Sequence, residues 1–239
     1  MRTESIEYTA DGRDLIGHLA VDDTTEGPRP AVLVCHEGPG LDDHARGRAE
    51  RLASLGYAAF ALDYHGGGKP LERDEMMGRL GELIPDALRT RALAQAGLDI
   101  LLAQPEADRS RVAAIGYCFG GTMALELARS GADLRAVVGF HSGLGTSRPE
   151  DARQIKASVL VCIGADDPMV PDGQRRGFEE EMRAAGVDWR LYLFGGAVHS
   201  FTNERADQAG FDGVRYHRPT DERSWQAMID LFDERLVPF

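Results

Sequence analysis

The stretch RVAAIGYCFGG, residues 111–121, decides the fold that this sequence predicts. An apolar run ends at Gly116, and a helical pattern begins at Thr122. A strand that turns sharply into a helix lifts one side chain clear of the backbone, and here that side chain is Cys118. Gly116 and Gly120 suit such a turn because bulkier residues would collide where strand and helix cross. The stretch therefore predicts a nucleophile elbow with a cysteine nucleophile; a Gly-rich turn around a structural cysteine is the alternative.

Short apolar runs alternate with helical patterns on both sides of this stretch. Six strands are predicted, at Ala31–Cys35, Ala58–Asp63, Arg111–Tyr117, Ala136–Phe140, Ser158–Gly164 and Trp189–Phe194. Helices are predicted near Ala45–Leu55, Ala87–Ala103, Thr122–Arg129, Gln174–Ala185 and Glu222–Leu236. Near-continuous apolar strands that alternate with helices are typical of a mostly parallel sheet covered on both faces.

The first thirty residues have a different pattern. Apolar and polar residues alternate on either side of Asp11-Gly12, which predicts a hairpin at an antiparallel edge of the sheet. Together with the parallel strands, this gives an α/β fold with a sheet of about eight strands and helices on both faces. We expect one domain over residues 1–239.

The segment Lys69–Pro85 follows a predicted strand and a flexible Gly66-Gly67-Gly68 turn. It carries apolar residues among charges, including Met76 and Leu80. Two interpretations remain open for residues 69–85. The segment is either a lid-like insertion that covers a pocket at the strand ends or a plain amphipathic helix.

Composition excludes several classes of function. A net charge of −12 over 239 residues argues against a nucleic-acid-binding protein. No apolar run approaches the roughly 20 residues of a membrane-spanning helix. The three cysteines have no paired spacing, which favours free thiols and a cytoplasmic location. No two histidines have zinc-ligand spacing, so neither a metal nor another cofactor is predicted.

A thiol nucleophile needs a base, and the base needs an acid to orient it. After Cys118, one strand ends at Asp166-Asp167, and the next ends in a loop that holds His199. Nucleophile, acid and base follow one another in the chain order of α/β hydrolases, and each follows a strand. We assign the acid to Asp167, because Pro168 fixes the loop just beyond it, and Asp166 is the alternative.

The loop His36-Glu37-Gly38 follows the first parallel strand. In this fold the corresponding loop supplies one oxyanion N–H, and the residue after the nucleophile supplies the other. Gly38 and Phe119 are therefore the predicted donors. Glu37 is a carboxylate next to the predicted nucleophile, and a solvated loop acid or helix cap is its alternative role.

Other residues at strand ends are candidates for the substrate pocket. The predicted substrate contacts are His36, Tyr117, Phe201 and Asn203. Histidines at strand ends, which also include His65 and His141, are alternatively structural hydrogen-bonding groups.

These motifs together resemble those of the dienelactone hydrolases (carboxymethylenebutenolidases) over nearly the whole chain. The resemblance rests on His36-Glu37, on Gly-Tyr-Cys-Phe-Gly-Gly at 116–121, on Gly-x-x-Asp-Pro ending at Pro168, and on His199-Ser-Phe. It implies that Cys118, Asp167 and His199 form a catalytic triad. It also implies that Glu37 holds the cysteine in a resting arrangement until substrate displaces it.

One position departs from the family pattern. The family has an arginine four residues after the catalytic histidine, which grips the carboxylate of the substrate; this chain has Asn203 there, and Arg205 follows. A second substrate arginine is expected in the lid region, where Arg73 and Arg79 are candidates. An asparagine cannot form the paired hydrogen bonds that a guanidinium makes to a carboxylate. The departure leaves open whether dienelactone is the natural substrate, while the predicted hydrolase chemistry does not depend on it.

The predicted function is hydrolysis of a small ester or lactone through a Cys118 thioester. The expected partner is that small molecule, with no nucleic acid and no membrane, and the protein is expected to be a monomer or homodimer. A glutamine amidotransferase would need His-x-Glu where this chain has His199-Ser200-Phe201. The remaining alternatives are a non-catalytic ligand-binding protein and a redox sensor that oxidises Cys118.

Overall fold

An eight-stranded sheet forms the centre of the molecule, in the order β1-β2-β4-β3-β5-β6-β7-β8. The structure is a computed structural model that describes residues 1–24 and 26–236. Its strands are β1 Arg2–Ala10, β2 Arg13–Val21, β3 Arg29–Cys35, β4 Ala58–Leu62, β5 Ala107–Tyr117, β6 Ala136–Phe140, β7 Ser158–Gly164 and β8 Trp189–Phe194. The strands from β3 onward pair in parallel, while β1 and β2 form an antiparallel hairpin that joins the sheet beside β4.

Helices cover both faces of this sheet. They are α1 Asp43–Ser54, α2 Arg73–Leu83, α3 Ala87–Leu102, α4 Phe119–Arg129, α5 Asp172–Ala185 and α6 Arg218–Leu236, with short 3₁₀ turns at Pro149–Gln154 and Ala206–Ala209. Residues of α1 and α6 pack with one face of the sheet, and residues of α3, α4 and α5 pack with the other. Successive strand residues alternate between the two cores: Val32 belongs to the first and Leu33 to the second.

The predicted α/β-hydrolase architecture is confirmed, including the edge hairpin and the parallel strands. The main difference lies at helix starts, because α1, α4, α5 and α6 each begin two to four residues before the predicted position. The added residues of α1, α5 and α6 are polar, glycine or proline, and those of α4 are Phe119 and two glycines, so the apolar periodicity begins later than the backbone helix. Residues 25 and 237–239, which the predicted domain includes, lie outside the described part of the chain.

The segment 69–85 contains a helix, α2, that packs on the loop after β3. A Cβ atom built on Gly38 would lie 3.0 Å from Leu80 Cδ1 and 3.9 Å from Met76 Sδ. The backbone N–H of Leu71 also donates to the carbonyl of Pro39, at 2.8 Å. The segment is therefore helical over Arg73–Leu83, and its residues Met76 and Leu80 lie near the loop that was predicted to border the active site. Its lid-like role stays a prediction.

Three glycines let the start of α4 touch the sheet edge directly. A Cβ atom on Gly116 would lie 2.1 Å from the carbonyl oxygen of Gly120, inside any van der Waals distance. One on Gly120 would lie 2.2 Å from the carbonyl oxygen of His36, and one on Gly121 would lie 1.7 Å from Ser142 Oγ. The elbow is therefore held by contacts that no residue with a Cβ can make.

We expect Gly120→Ala to destabilise the fold by about 2–4 kcal/mol, because the added methyl group meets backbone atoms that cannot move aside. Gly177→Ala is the matched control, since it places the same methyl group in open space on helix α5. That variant should be more stable by roughly 0.5–1 kcal/mol, as expected for alanine in a helix interior. Urea unfolding of both variants measures the difference, and equal midpoints would contradict this account of the elbow.

Candidate active site

Cys118 lies at the turn between β5 and α4 with φ 54° and ψ −123°, a conformation that non-glycine residues rarely adopt. Its backbone N–H is shared between the carbonyl of Phe140, at 3.0 Å, and His141 Nδ1, at 3.1 Å. The thiol is free and half-buried. The elbow therefore presents the Cys118 side chain at the carboxyl edge of the sheet.

Asp167 and His199 meet at this same edge. Asp167 Oδ2 lies 2.8 Å from His199 Nδ1, and Asp167 Oδ1 accepts the backbone N–H of Met169 at 2.8 Å. The alternative acid, Asp166, is exposed and accepts the N–H of Gly196 instead. Because Nδ1–H donates to Asp167, Nε2 is the free nitrogen of His199; it is buried and has no hydrogen-bond partner among the described residues.

A further close backbone contact positions this histidine. A Cβ atom on Gly164, the last residue of β7, would lie 2.3 Å from the carbonyl oxygen of Ala197. The loop that carries His199 therefore packs directly on the end of β7, just before Asp167. The acid and the base come from adjacent strands and are held together by backbone as well as by their own hydrogen bond.

Charges around His199 determine its protonation. Burial lowers the pKa of His199, but the charge of Cys118 and the hydrogen bond to Asp167 outweigh it and raise the pKa to about 10. The imidazolium is therefore the favoured form at neutral pH, and it is lost as the pH rises through about 10. A histidine with this charge stabilises a thiolate beside it.

The other two cysteines differ from Cys118. Cys35 and Cys162 lie within strands of the core, and burial raises the pKa of both thiols. They remain protonated and out of contact with solvent, so they have the properties of structural residues.

Glu37 is buried, and both of its carboxylate oxygens are occupied. Oε1 accepts from Ser200 Oγ at 2.6 Å, and Oε2 accepts from Asn203 Nδ2 at 2.5 Å. Burial raises the pKa of Glu37, and these two hydrogen bonds oppose the rise. Both donors lie in the loop that carries His199, so Glu37 ties the loop after β3 to the loop after β8.

The two predicted oxyanion donors are close together in the fold. Phe119 is the first residue of α4, and the first N–H groups of a helix have no partner within it. Gly38 is buried, and its N–H has no acceptor among the residues described. The contact of Gly120 with the carbonyl of His36 places the start of α4 against this loop.

Three of the predicted substrate contacts are inaccessible. His36, Tyr117 and Phe201 are each 0% exposed. His36 stacks on Tyr64, Tyr117 stacks on Phe140, and Phe201 packs edge-on against His141. The prediction that these residues contact substrate does not agree with their burial, since all three support the site from behind. The sequence alone does not show whether an aromatic residue beside a predicted site residue lines the substrate pocket or is buried behind it.

The candidate arginines are mostly engaged elsewhere. Arg79 is buried and donates to Asp11 at 2.6 Å and to the carbonyl of Tyr64 at 3.2 Å. Arg205 is exposed and pairs with Asp43 at 2.9 Å. Arg73 is exposed at the start of α2. None of the three replaces the family arginine at the position of Asn203.

A buried chain of polar groups connects the elbow with Glu37, and sequence reasoning missed most of it. His141 accepts the Cys118 N–H on Nδ1, so its Nε2–H donates to Thr202 Oγ1 at 2.8 Å. Thr202 Oγ1 lies 3.3 Å from His44 Nε2, and His44 Nδ1 lies 3.9 Å from Glu37 Oε2. Between the elbow and Glu37, the one member of this network that the sequence analysis had singled out is His141, because it lies at the end of a predicted strand. Ser200 and Thr202 follow His199 in the sequence, and this proximity is the one signal that could have identified them.

The described residues contain no cluster of three or more histidine, cysteine or acidic side chains arranged for a metal ion. Within residues 1–24 and 26–236, none of the helices combines the length and apolar character needed to cross a bilayer.

The sheet order, the elbow after β5 and the acid and base after β7 and β8 define an α/β hydrolase. A profile of the dienelactone hydrolase family matches residues 16–236. The chain therefore belongs to the dienelactone hydrolase family and is an ester or lactone hydrolase by class, as its sequence predicts.

Individual relatives agree with this assignment. The crystal structure of a dienelactone hydrolase-like promiscuous phosphotriesterase, P91 from metagenomic libraries, is 44% identical with a TM-score of 0.95, and the match covers 99% of each chain. A solved structure named m3DLH is 48% identical with a TM-score of 0.95 and the same coverage. A protein of Escherichia coli K12, provisionally named carboxymethylenebutenolidase, is 26% identical over 222 residues, or 88% of this chain and 79% of the relative.

We expect Cys118→Ala to lower the pKa of His199 by at least about 1 pH unit, the effect of losing an opposite charge within hydrogen-bonding range. NMR titration of the His199 ring measures this pKa. Cys162→Ala, which removes a buried thiol elsewhere in the core, should leave it unchanged. The same His199 pKa in both variants would show that Cys118 does not act on the imidazole.

Proposed function

We propose that this protein hydrolyses small carboxylic esters or lactones through a thioester on Cys118. The observation that supports the proposal most directly is the arrangement around His199. Its Nδ1 is bound to Asp167 at 2.8 Å, and its Nε2 is buried and has no hydrogen-bond partner in the described part of the chain. The ring lies close enough to Cys118 for a thiolate charge there to raise the pKa of His199. A nucleophile beside an oriented base is the arrangement that covalent hydrolysis requires.

Acylation begins with the Cys118 thiolate and the protonated His199. The thiolate attacks the carbonyl carbon and forms the S–C bond, and the negative charge moves to the carbonyl oxygen. The N–H groups of Phe119 and Gly38 stabilise this oxyanion; in measured enzymes one such donor contributes roughly 3–4 kcal/mol. The intermediate collapses as the C–O bond breaks, and Nε2–H of His199 protonates the departing alkoxide.

Deacylation uses the same groups in the opposite sense. His199 is now neutral, and its Nε2 takes a proton from water, which attacks the thioester carbonyl. Collapse of the second tetrahedral intermediate breaks the C–S bond and releases the acid. Asp167 keeps the imidazole in the Nδ1–H tautomer throughout, because its carboxylate only accepts hydrogen bonds.

The leaving group sets the range of substrates. A thiolate leaves more readily than an amine, so an adduct formed from an amide reverts to the starting material. Activated esters and enol lactones have better leaving groups and continue to the acyl-enzyme. The proposed substrates are therefore esters and lactones rather than peptides.

Hydrolysis of phosphotriesters is a second candidate activity. It is favoured by the 44% identity and TM-score of 0.95 to the promiscuous phosphotriesterase P91. The Cys118 thiolate would form an S–P bond as the P–O bond to the leaving aryloxide breaks, and water would then cleave the S–P bond. Such substrates are uncharged, and this site has no arginine at the position of Asn203 to bind a carboxylate.

A panel of aryl esters, lactones including dienelactone, and an aryl phosphotriester tests both activities. We expect Cys118→Ala to lose at least about a thousandfold in kcat, because the covalent route is removed. Mass spectrometry of the quenched wild-type reaction should find the acyl or phosphoryl group on Cys118. Cys162→Ala is the matched control and should keep wild-type rates. Equal, measurable rates in wild type and Cys118→Ala would refute Cys118 as the nucleophile. If neither protein hydrolysed any substrate of the panel, the alternative of a non-catalytic ligand-binding protein would be favoured.

The second test concerns Asn203. We expect Asn203→Arg to raise kcat/KM for a lactone that carries a carboxylate, relative to the neutral methyl ester of the same lactone, by about tenfold or more. The guanidinium can pair with the substrate carboxylate through two hydrogen bonds, which the amide cannot do. Asn203→Gln is the control, because it changes side-chain length without adding charge. An unchanged ratio in Asn203→Arg would show that this position does not select substrate charge.

A further inference from the structure

Three buried aromatic residues surround the turn that begins at Glu37. The Glu37 carbonyl oxygen lies 2.6 Å from His36 Nδ1 and 2.9 Å from the Tyr64 hydroxyl. The Tyr64 hydroxyl is also 3.2 Å from the carbonyl of His36. His65 Nε2 lies 2.7 Å from the carbonyl of Gly38. The carbonyls of residues 37 and 38 are thus each bound by a side-chain donor, and the single hydroxyl proton of Tyr64 is shared between the carbonyls of residues 36 and 37.

The rings also hold one another in place. His36 stacks on Tyr64 with centroids 3.8 Å apart and planes 16° apart. His65 contacts the edge of the same ring at 4.4 Å. Tyr64 and His36 are fully buried, and His65 nearly so. The three therefore form one fixed group, which we call the carbonyl clamp.

This clamp determines the direction of the Gly38 N–H. The Glu37–Gly38 peptide is trans, so its C=O and N–H point in opposite directions. Because the buried side chains of Tyr64 and His36 bind the C=O, the N–H points away from both of them. Gly38 is a buried residue and its N–H has no acceptor among the described residues, although nearly all buried N–H groups in proteins are paired. An N–H that has a fixed direction and no acceptor in the protein can donate a hydrogen bond to an oxygen atom of a bound ligand.

Tyr64 also reaches the second predicted donor. Its ring contacts the ring of Phe119 edge-on, with centroids 5.6 Å apart. Tyr64 therefore contacts both the carbonyl of the Glu37–Gly38 peptide and the side chain of Phe119, the other predicted donor.

We propose that Tyr64, supported by His36 and His65, is a positioning residue that holds the Gly38 and Phe119 N–H groups in the geometry of the tetrahedral intermediate. This inference rests on the proposed hydrolase function. Tyr64 does not touch substrate, because it is fully buried. Its effect is preorganisation: donors that are already aimed need not rearrange during the reaction.

The clamp keeps its hydrogen-bond pattern across the working pH range. Burial lowers the pKa of His36 to about 3, helped by neighbouring His65, and burial also lowers the pKa of His65. Burial raises the pKa of Tyr64 well above its ordinary value. Both imidazoles are therefore neutral donors and Tyr64 keeps its hydroxyl proton.

Tyr64→Phe tests the proposal, since it removes the hydroxyl and keeps the stacked ring. We expect kcat for an ester substrate to fall about tenfold, less than the roughly hundredfold or greater loss of a complete oxyanion donor, with KM changed less than about twofold. Affinity for a trifluoromethyl ketone, which forms an oxyanion adduct with Cys118, should fall by the same factor as kcat/KM. The rate of Cys118 alkylation by iodoacetamide, which builds no oxyanion, should stay within about twofold of wild type.

Tyr57→Phe is the matched control, because Tyr57 packs on Phe232 in the core of the other sheet face. It should leave all three measurements unchanged. His65→Phe is the second test variant and should show the same pattern as Tyr64→Phe if the clamp acts as one group, with urea unfolding to check that each variant folds.

The outcomes separate the two proposals. Unchanged kcat and ketone affinity in Tyr64→Phe would overturn the positioning role, and so would an equal loss in the alkylation rate, which would indicate damage to the thiolate instead. Failure of the proposed function has a different signature: Cys118→Ala would then keep wild-type turnover, whatever the effect of Tyr64→Phe.

Discussion

The contact between the start of α4 and the end of β3 is the constraint on which the site depends. Gly120 allows the two backbones to approach so closely that a Cβ atom would lie 2.2 Å from the carbonyl oxygen of His36. That approach puts the elbow beside the Glu37–Gly38 loop, so the nucleophile and both oxyanion donors share one small region. It also leaves Cys118 at φ 54°, a strained conformation that surrounding contacts must maintain. The shared Cys118 N–H, bound by Phe140 and His141, is one such contact.

Burial of many polar groups follows from this close packing. A buried polar atom without a partner costs about 1–3 kcal/mol, so most polar atoms in this region are paired. Glu37 is bound by Ser200 and Asn203, and His141 is bound by Thr202. Unpaired side-chain atoms among the described residues of this region are His36 Nε2, His44 Nδ1, His65 Nδ1, Tyr117 OH and His199 Nε2. Of these, His199 Nε2 is the atom that the proposed reaction would use, together with the Gly38 N–H, which also has no acceptor among the described residues.

Sequence reasoning located the strands, the elbow and the Asp167–His199 pair more readily than the residues that support them. Apolar runs and glycine spacing located the strands and the elbow, because both depend on local sterics. The choice of Asp167 over Asp166 as the partner of His199 rested on Pro168, which restricts the loop just beyond Asp167; the structure shows Asp167 bound to His199. The partners of Glu37 were not predictable, because they come from residues 163 and 166 positions away along the chain. The burial of Tyr117 and Phe201 was missed for the same reason: contacts across the sheet edge leave no periodic signal.

The environment of Glu37 bears directly on the proposed substrates. In this chain Glu37 is held by two neutral donors, Ser200 and Asn203, where the family pattern places an arginine at the second position. If Glu37 is ionised, its charge repels a substrate carboxylate across the small site, because no guanidinium compensates it. If its burial keeps it protonated, it is neutral and offers an anion no attraction. In either state the side chain at position 203 is a neutral amide, which lacks the charge with which the family arginine would bind an anionic lactone. The same arrangement puts no penalty on an uncharged ester, lactone or phosphotriester, so the loss of one arginine changes the proposed specificity without changing the proposed chemistry.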